Sequence, residues 1–261
     1  MSAAQHTSKP VPRENARSLS YPAQKLGWDA PFRWLKLGWE DYKKTWKLSA
    51  LYGLFFALCG VAISAMVIFY GNKILLFSLG ILFILLGPLF AFGLYDVSRQ
   101  LQLGEKPCLS HSFYQVKRSA PNQWVFACVL IVIGLVWMRA ATIIHVFYPT
   151  HADPLLEELL AFFTVGSLAG AFFLGLVFGS SAFSLPMMVD RNVDSITASI
   201  SSLNAVLKNK GVAILWGSLI LMSVIVGFAT GFLGLVIVLP VIGYATFHGA
   251  QEAILDPKTE A

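Results

Sequence analysis

The sequence predicts an all-α, polytopic membrane protein: six transmembrane helices paired as three hairpins, each hairpin preceded by an amphipathic helix at the membrane surface. Three observations lead there. Of 261 residues, 56% are hydrophobic and only 13% are charged, against about 25% charged in an ordinary soluble domain. Several apolar runs reach the roughly 20 residues needed to cross about 30 Å of hydrocarbon. Ahead of each pair of runs lies a segment whose apolar residues recur at three- and four-residue steps, the spacing of one helix face.

Residues 1–28, with Pro10, Pro12 and Pro22 and little periodicity, suggest a flexible cytoplasmic tail. A membrane domain is expected over 29–255, and a short cytoplasmic tail over 256–261. Asp29 followed by Pro31 suits a helix start. From there Phe32, Leu35, Trp39, Tyr42 and Trp46 form an aromatic stripe, while Arg33, Lys36, Glu40, Lys43, Lys44 and Lys47 fill the other faces. Such a pattern suits a helix lying in the membrane interface.

Spans are predicted at about 48–70 and 74–95, joined only by Gly71, Asn72 and Lys73, so they must form an antiparallel hairpin. Pro88 falls inside the second. The polar stretch Asp96 to Asn122 holds a weaker stripe, Leu109, Phe113, Val116 and Ala120, with Ser110 available as its cap. Spans three and four are placed at 124–148 and 157–189. As one helix at 1.5 Å per residue the apolar run Leu159 to Val189 would be about 46 Å long, so it must tilt, break or project from the bilayer. Asp194 is expected to cap a striped helix running to Leu207, with Ile200 and Leu203 buried in lipid or protein and Ser199 and Ser202 facing water. The last hairpin is placed at 211–228 and 231–250.

Charge sets the orientation. Of 19 Lys and Arg residues, all but Lys73 and Arg139 fall in residues 1–47, the 96–122 loop, the 186–210 loop or the C-terminal tail. The positive-inside rule then places both termini in the cytoplasm. Although the net charge is +5, no nucleic-acid motif accompanies it, so the expected partners are anionic lipid heads. Cys59, Cys108 and Cys128 are expected to be free thiols. The first apolar run is long enough to act as an uncleaved anchor.

Candidate functional residues are Arg139, His145, Glu157, Glu158, Asp190 and Arg191. Arg139 is the ionisable residue well inside an apolar run, which marks a functional candidate; snorkelling, or pairing with Glu157 or Glu158, accounts for it structurally. His145, His151, Asp153, Glu157 and Glu158 gather on the outer side. They lack the helical spacing of a zinc site, and Asp153-Pro154 more simply begins a helix, so no metal and no cofactor is expected. The pairs Asp96 with Arg99 and Asp190 with Arg191 suit solvated elbows or local ion pairs at span ends. Ser180, Ser181 and Ser184 suit either a polar path or bonds to their own helix backbone. Neither a phosphate-binding loop nor a nucleophile elbow is found, and no buried carboxylate is expected.

The segments APFRWLKLGWEDYKKTW before the first span, SLPMMVDRNVDSITASISSLNAVLKNKGVAILW after the fourth, and the terminal LPVIGYATFHGAQEAI resemble the bacterial integral membrane proteins catalogued as domain of unknown function 2189. The resemblance covers roughly residues 28 to 255. It implies a polytopic inner-membrane protein and supplies no activity. Some relatives are labelled putative cytochrome c oxidase subunits, but haem ligation needs histidines well within spans. Here His6, His111 and His151 fall in tails or loops, and His145 and His248 near span ends. The expected function is a non-enzymatic scaffold, assembly or envelope-homeostasis role beside other inner-membrane proteins, a respiratory complex among them. The alternatives are a transporter or channel for a small or amphipathic solute, and a membrane enzyme acting on lipids.

Overall fold

A computed structural model describes residues 20–70, 91–146 and 155–255. Among them the regular structure is entirely helical, apart from an isolated antiparallel bridge between Ala23 and Ile254. The helices are α1 (Ala30–Lys44), α2 (Trp46–Tyr70), α3 (91–102), α4 (Leu109–His145), α5 (Leu156–Ser181), α6 (Ser184–Arg191), α7 (Ser195–Lys208), α8 (Lys210–Ala229) and α9 (Leu235–Ala253). Four described stretches are long and apolar enough to cross a membrane: Trp46–Met66, Ala120–His145, Leu159–Arg191 and Lys210–Ala229. Most of the second expected span lies outside the described residues. The last expected span is helical as α9, but its final turns carry His248, Gln251 and Glu252, and it falls outside the four.

The buried core sits at one end of the apolar helices. Its centre is Trp34 of α1, packed edge-on against Trp216 of α8 at 5.4 Å and Phe183 at 5.9 Å. The Trp34 indole N–H donates to Glu252 of α9 at 2.8 Å. Farther along, α4 and α5 meet through Trp137 and Phe173, and much of their apolar surface is open, as expected of helices that face lipid.

Backbone contact draws α9 onto α1 and α2. A Cβ on Gly38 would stand 2.6 Å from the Val241 carbonyl oxygen, and one on Gly53 would stand 2.3 Å from that of Val236. Only glycine admits so close an approach.

In α7 the inward side is the reverse of the expected one. In α7 the buried residues are Ser195, Ala198, Ser199, Ser201, Ser202 and Ala205, whereas Ile196, Ile200 and Leu207 are exposed. The expectation that Ser199 and Ser202 face water is therefore corrected. Helix α1 buries Ala30, Pro31, Trp34, Gly38 and Asp41 and leaves Phe32, Trp39 and neighbouring Trp46 exposed. Small side chains let helices approach closely, so the small and polar face of α7, and α1 at Gly38, meet protein closely while Ile200 and Trp39 are left outward.

The stripe from Leu109 to Ala120 is not a separate helix. It forms the first turns of α4, which continues through Pro121 and begins at Cys108 rather than at Ser110. The long fourth run does break. Ser180 and Ser181 donate back to the carbonyls of Leu176 and Val177 at 2.8 and 2.7 Å, a pattern that bends helices. Phe183 then separates α5 from α6. Ser202 of α7 bridges the gap, accepting from the Phe183 N–H at 3.0 Å and donating to the Gly179 carbonyl at 2.7 Å. Asn192, left-handed at φ 52°, ends α6, as asparagine can at little steric cost. Asp194 caps α7 as expected, accepting from the Ile196 and Thr197 N–H groups at 3.1 and 2.9 Å.

Candidate functional site

Two carboxylates are buried at the core end, correcting the expectation that there would be none. Asp41 lies on the inner face of α1, one turn from Gly38, because the close approach of α9 covers that face. Its Oδ2 accepts from Ser98 of α3 at 2.5 Å and from His248 Nε2 of α9 at 2.9 Å. The other imidazole nitrogen, Nδ1, lies 3.4 Å from the Gln102 amide nitrogen. An amide N–H can only donate, so these partners assign the ring proton to Nε2. Gln102 and Gln251 then exchange two amide hydrogen bonds, at 2.7 and 2.8 Å, and Gln251 donates on to Asp190 at 3.2 Å. Beside this chain Ser49 and Tyr244 share a hydrogen bond of 2.7 Å, with Thr45 joining Ser49 at 2.9 Å.

Asp96 of α3 is fully buried, not a solvated elbow with Arg99. Oδ2 accepts from Gln100 Nε2 at 2.7 Å and Ser112 Oγ at 2.8 Å, and pairs with His111 Nδ1 at 3.0 Å. Its Oδ1 is buried with no partner, an arrangement that costs about 1–3 kcal/mol if nothing meets it. Gln100 also accepts from the Cys108 N–H at 3.0 Å, fastening the α3–α4 turn. In that turn Ser110 holds the exposed Cys108 thiol below its ordinary range through hydrogen bonding.

Two carboxylate–imidazole pairs thus close one end of the helices. His248 turns its second nitrogen to an amide rather than to a hydroxyl or thiol, so the Asp41 pair does not form the relay that activates a nucleophile. Such pairs are suited to holding or passing protons and to locking α1, α3 and α9 together. Among the described residues, no three of His, Cys, Asp and Glu converge as metal ligands do.

The chain resembles a known family at this point. Residues 75–190 match the family described as predicted integral membrane protein (DUF2189). That match is shorter than the resemblance read over 28 to 255. It takes in α3, α4, α5 and nearly all of α6, and so contains Asp96, His111 and Ser112 but neither Asp41 nor His248. The DUF2189 description states membrane integration and no activity. No curated protein matches, and no solved structure matches.

The residues singled out in the sequence separate into two groups. Asp190 and Arg191 join the core end. Arg191 donates to the carbonyls of Ile254 and Leu255, lies 5.3 Å from the centre of the Tyr21 ring, and reaches Asp190 at 3.7 Å. Arg139 and Glu157 are exposed on α4 and α5, and among the described residues no ion pair joins them. The His145 ring rests 6.5 Å from that of Phe162. Glu158 belongs to the first turn of α5, its side chain outside the description, as are His151 and Asp153 altogether.

Asp41, Asp96, His111 and His248 were missed as a site. A faint signal exists: Asp96, Ser98, Gln100 and Gln102 alternate in YDVSRQLQL at a helix end, and Thr45 and Ser49 are four apart at the start of a span. Polar side chains at that density ask for partners from elsewhere in the fold.

Proposed function

We propose that this is a six-span protein of the bacterial inner membrane, with both termini in the cytoplasm. Its role in this reading is that of a non-enzymatic scaffold or assembly factor, which binds membrane lipids and other inner-membrane proteins, a respiratory complex among them. The observation that carries the reading is the clasp of the two chain ends. The Gln24 N–H donates to the Ala253 carbonyl, and the Leu255 N–H to that of Pro22, each at 2.9 Å. Segments that pair in this way lie on one side of a membrane, so an even number of crossings separates them. Side chains of α7 and its C-terminal end hold the same strap. Ser201 accepts from the Tyr21 N–H at 2.9 Å, and Asn209 accepts from that of Leu26 at 2.8 Å while donating to the Gln24 carbonyl at 2.7 Å. The product is a fixed platform of α1, α6, α7 and the end of α9 beside the span ends, a surface suited to holding partners. Isolation in mild detergent after cross-linking in intact membranes tests this. A reproducible protein partner is expected; the absence of any partner above background across several detergents would refute it.

A second reading is favoured by the two buried carboxylates, each with an imidazole: proton-linked passage of a small or amphipathic solute. Flux into proteoliposomes decides between the two. Flux that Asp96→Asn abolishes would replace the scaffold reading.

A further inference from the structure

We propose that α1 and the first turn of α2 bind the phosphate headgroups of anionic lipids through Lys36, Lys43 and Lys47, with Phe32, Trp39 and Trp46 seated in the acyl boundary beside them. The inference rests on the lipid binding proposed above and deepens it by naming the headgroup chemistry's place on the chain and the residues that hold it. Phe32, Trp39 and Trp46 are 55%, 44% and 57% exposed. Within α1 the seven-residue step keeps Phe32 and Trp39 in one row, turned by about 20°, and Trp46 follows the break at Thr45 as the first residue of α2. Lys36 and Lys43 each stand four residues after a member of that row, about 40° further round, and Lys47 places its ammonium 5.6 Å from the Trp46 ring centre. All three lysines are exposed, and among the described residues none of them is in an ion pair.

The opposite face of α1 is covered by α9 at Gly38, so the aromatic row and the lysine row turn away from the protein together. Trp46 opens α2, the first stretch apolar enough to span, which fixes the end of α1 at the bilayer edge. There aromatic rings settle at headgroup depth, lysines reach outward to phosphate, and the surface carries negative charge. A nucleic acid would need the lysines but not the apolar row. A protein partner would need the row but not a line of free cations beside it.

The test uses the full chain in nanodiscs made of equal parts phosphatidylglycerol and phosphatidylcholine, counting the lipids retained on the protein by native mass spectrometry. Preferential retention of phosphatidylglycerol is expected. It should fall roughly tenfold or more in Lys36→Gln/Lys43→Gln/Lys47→Gln, since each juxtamembrane lysine is worth roughly a fivefold preference. Lys44→Gln, about 100° round from Lys43, should keep it. Three results would overturn the proposal: no preference in the unaltered chain, an equal loss in Lys44→Gln, or cross-links from Trp39 to a second copy of the chain. A protein without partners that still selects phosphatidylglycerol would sink the scaffold reading and leave this one standing.

Discussion

Ser202 and Asp194 show how much one short side chain does where a helix stops. Ser202 serves two backbone groups at the α5–α6 break, Phe183 N–H and Gly179 C=O, and is fully buried. Ser202→Ala is expected to cost about 1–3 kcal/mol, since both groups lose their partner in a buried site. Asn204→Ala, exposed on the same helix, should leave the melting temperature in detergent nearly unchanged; equal effects would mean that Ser202 holds nothing. Asp194 carries a dependence on pH. Its carboxyl is lowered from the ordinary 3.8, first by the Thr197 N–H, so the folded protein binds this proton less readily than the unfolded chain. The cap therefore stabilises fully above pH 3.8 and is lost as the pH falls through the lower folded value. Asp194→Ala should cost about 1 kcal/mol at neutral pH. The gap between the two melting curves should close on acidification past 3.8, and a constant gap would refute the assignment.

Among the elements, α9 organises the fold through bare backbone. A methyl group on Gly53 would meet the Val236 backbone at 2.3 Å, and backbone cannot swing aside as a side chain can, so α2 and α9 would have to separate. Gly53→Ala is expected to lower stability by about 1–3 kcal/mol or more, the usual range for overpacking. Gly134 of α4 has nothing within 4 Å of the same position. Gly134→Ala should be neutral or stabilising by up to about 1 kcal/mol through helix propensity. Equal losses from the two substitutions would show that the α2–α9 contact is not close. These contacts were hidden in the sequence because a glycine in an apolar run looks the same whether it faces lipid or another helix.

For the whole molecule the pairing of Ala23 with Ile254 makes a topological demand. A reporter active only outside the cytoplasm should work when fused after Asn72, Ala152 or Ala229. It should stay silent after Lys106, Ser199 or the C-terminus. Activity at Ser199 would overturn the six-span arrangement, because the run from Leu159 to Val189 would then cross the membrane twice or not at all.

Composition and periodicity were enough to establish an all-helical membrane protein, the start of α1 at Asp29-Ala-Pro31, the cap at Asp194 and a fourth apolar run too long to remain one straight span. These are local matters, decided by the cost of bare backbone groups in hydrocarbon and by the length of a helix. Which face of α1 and α7 turns inward was decided only in three dimensions. In water an apolar stripe points to the core, but at a membrane lipid accepts it as readily as protein does. The small face of Ser199, Ser202 and Gly38 then wins the protein contact through close approach. The buried pairs are legible least of all. Asp41 meets His248 across 207 positions of sequence, and nothing local to either residue says that the other will be there to share its charge.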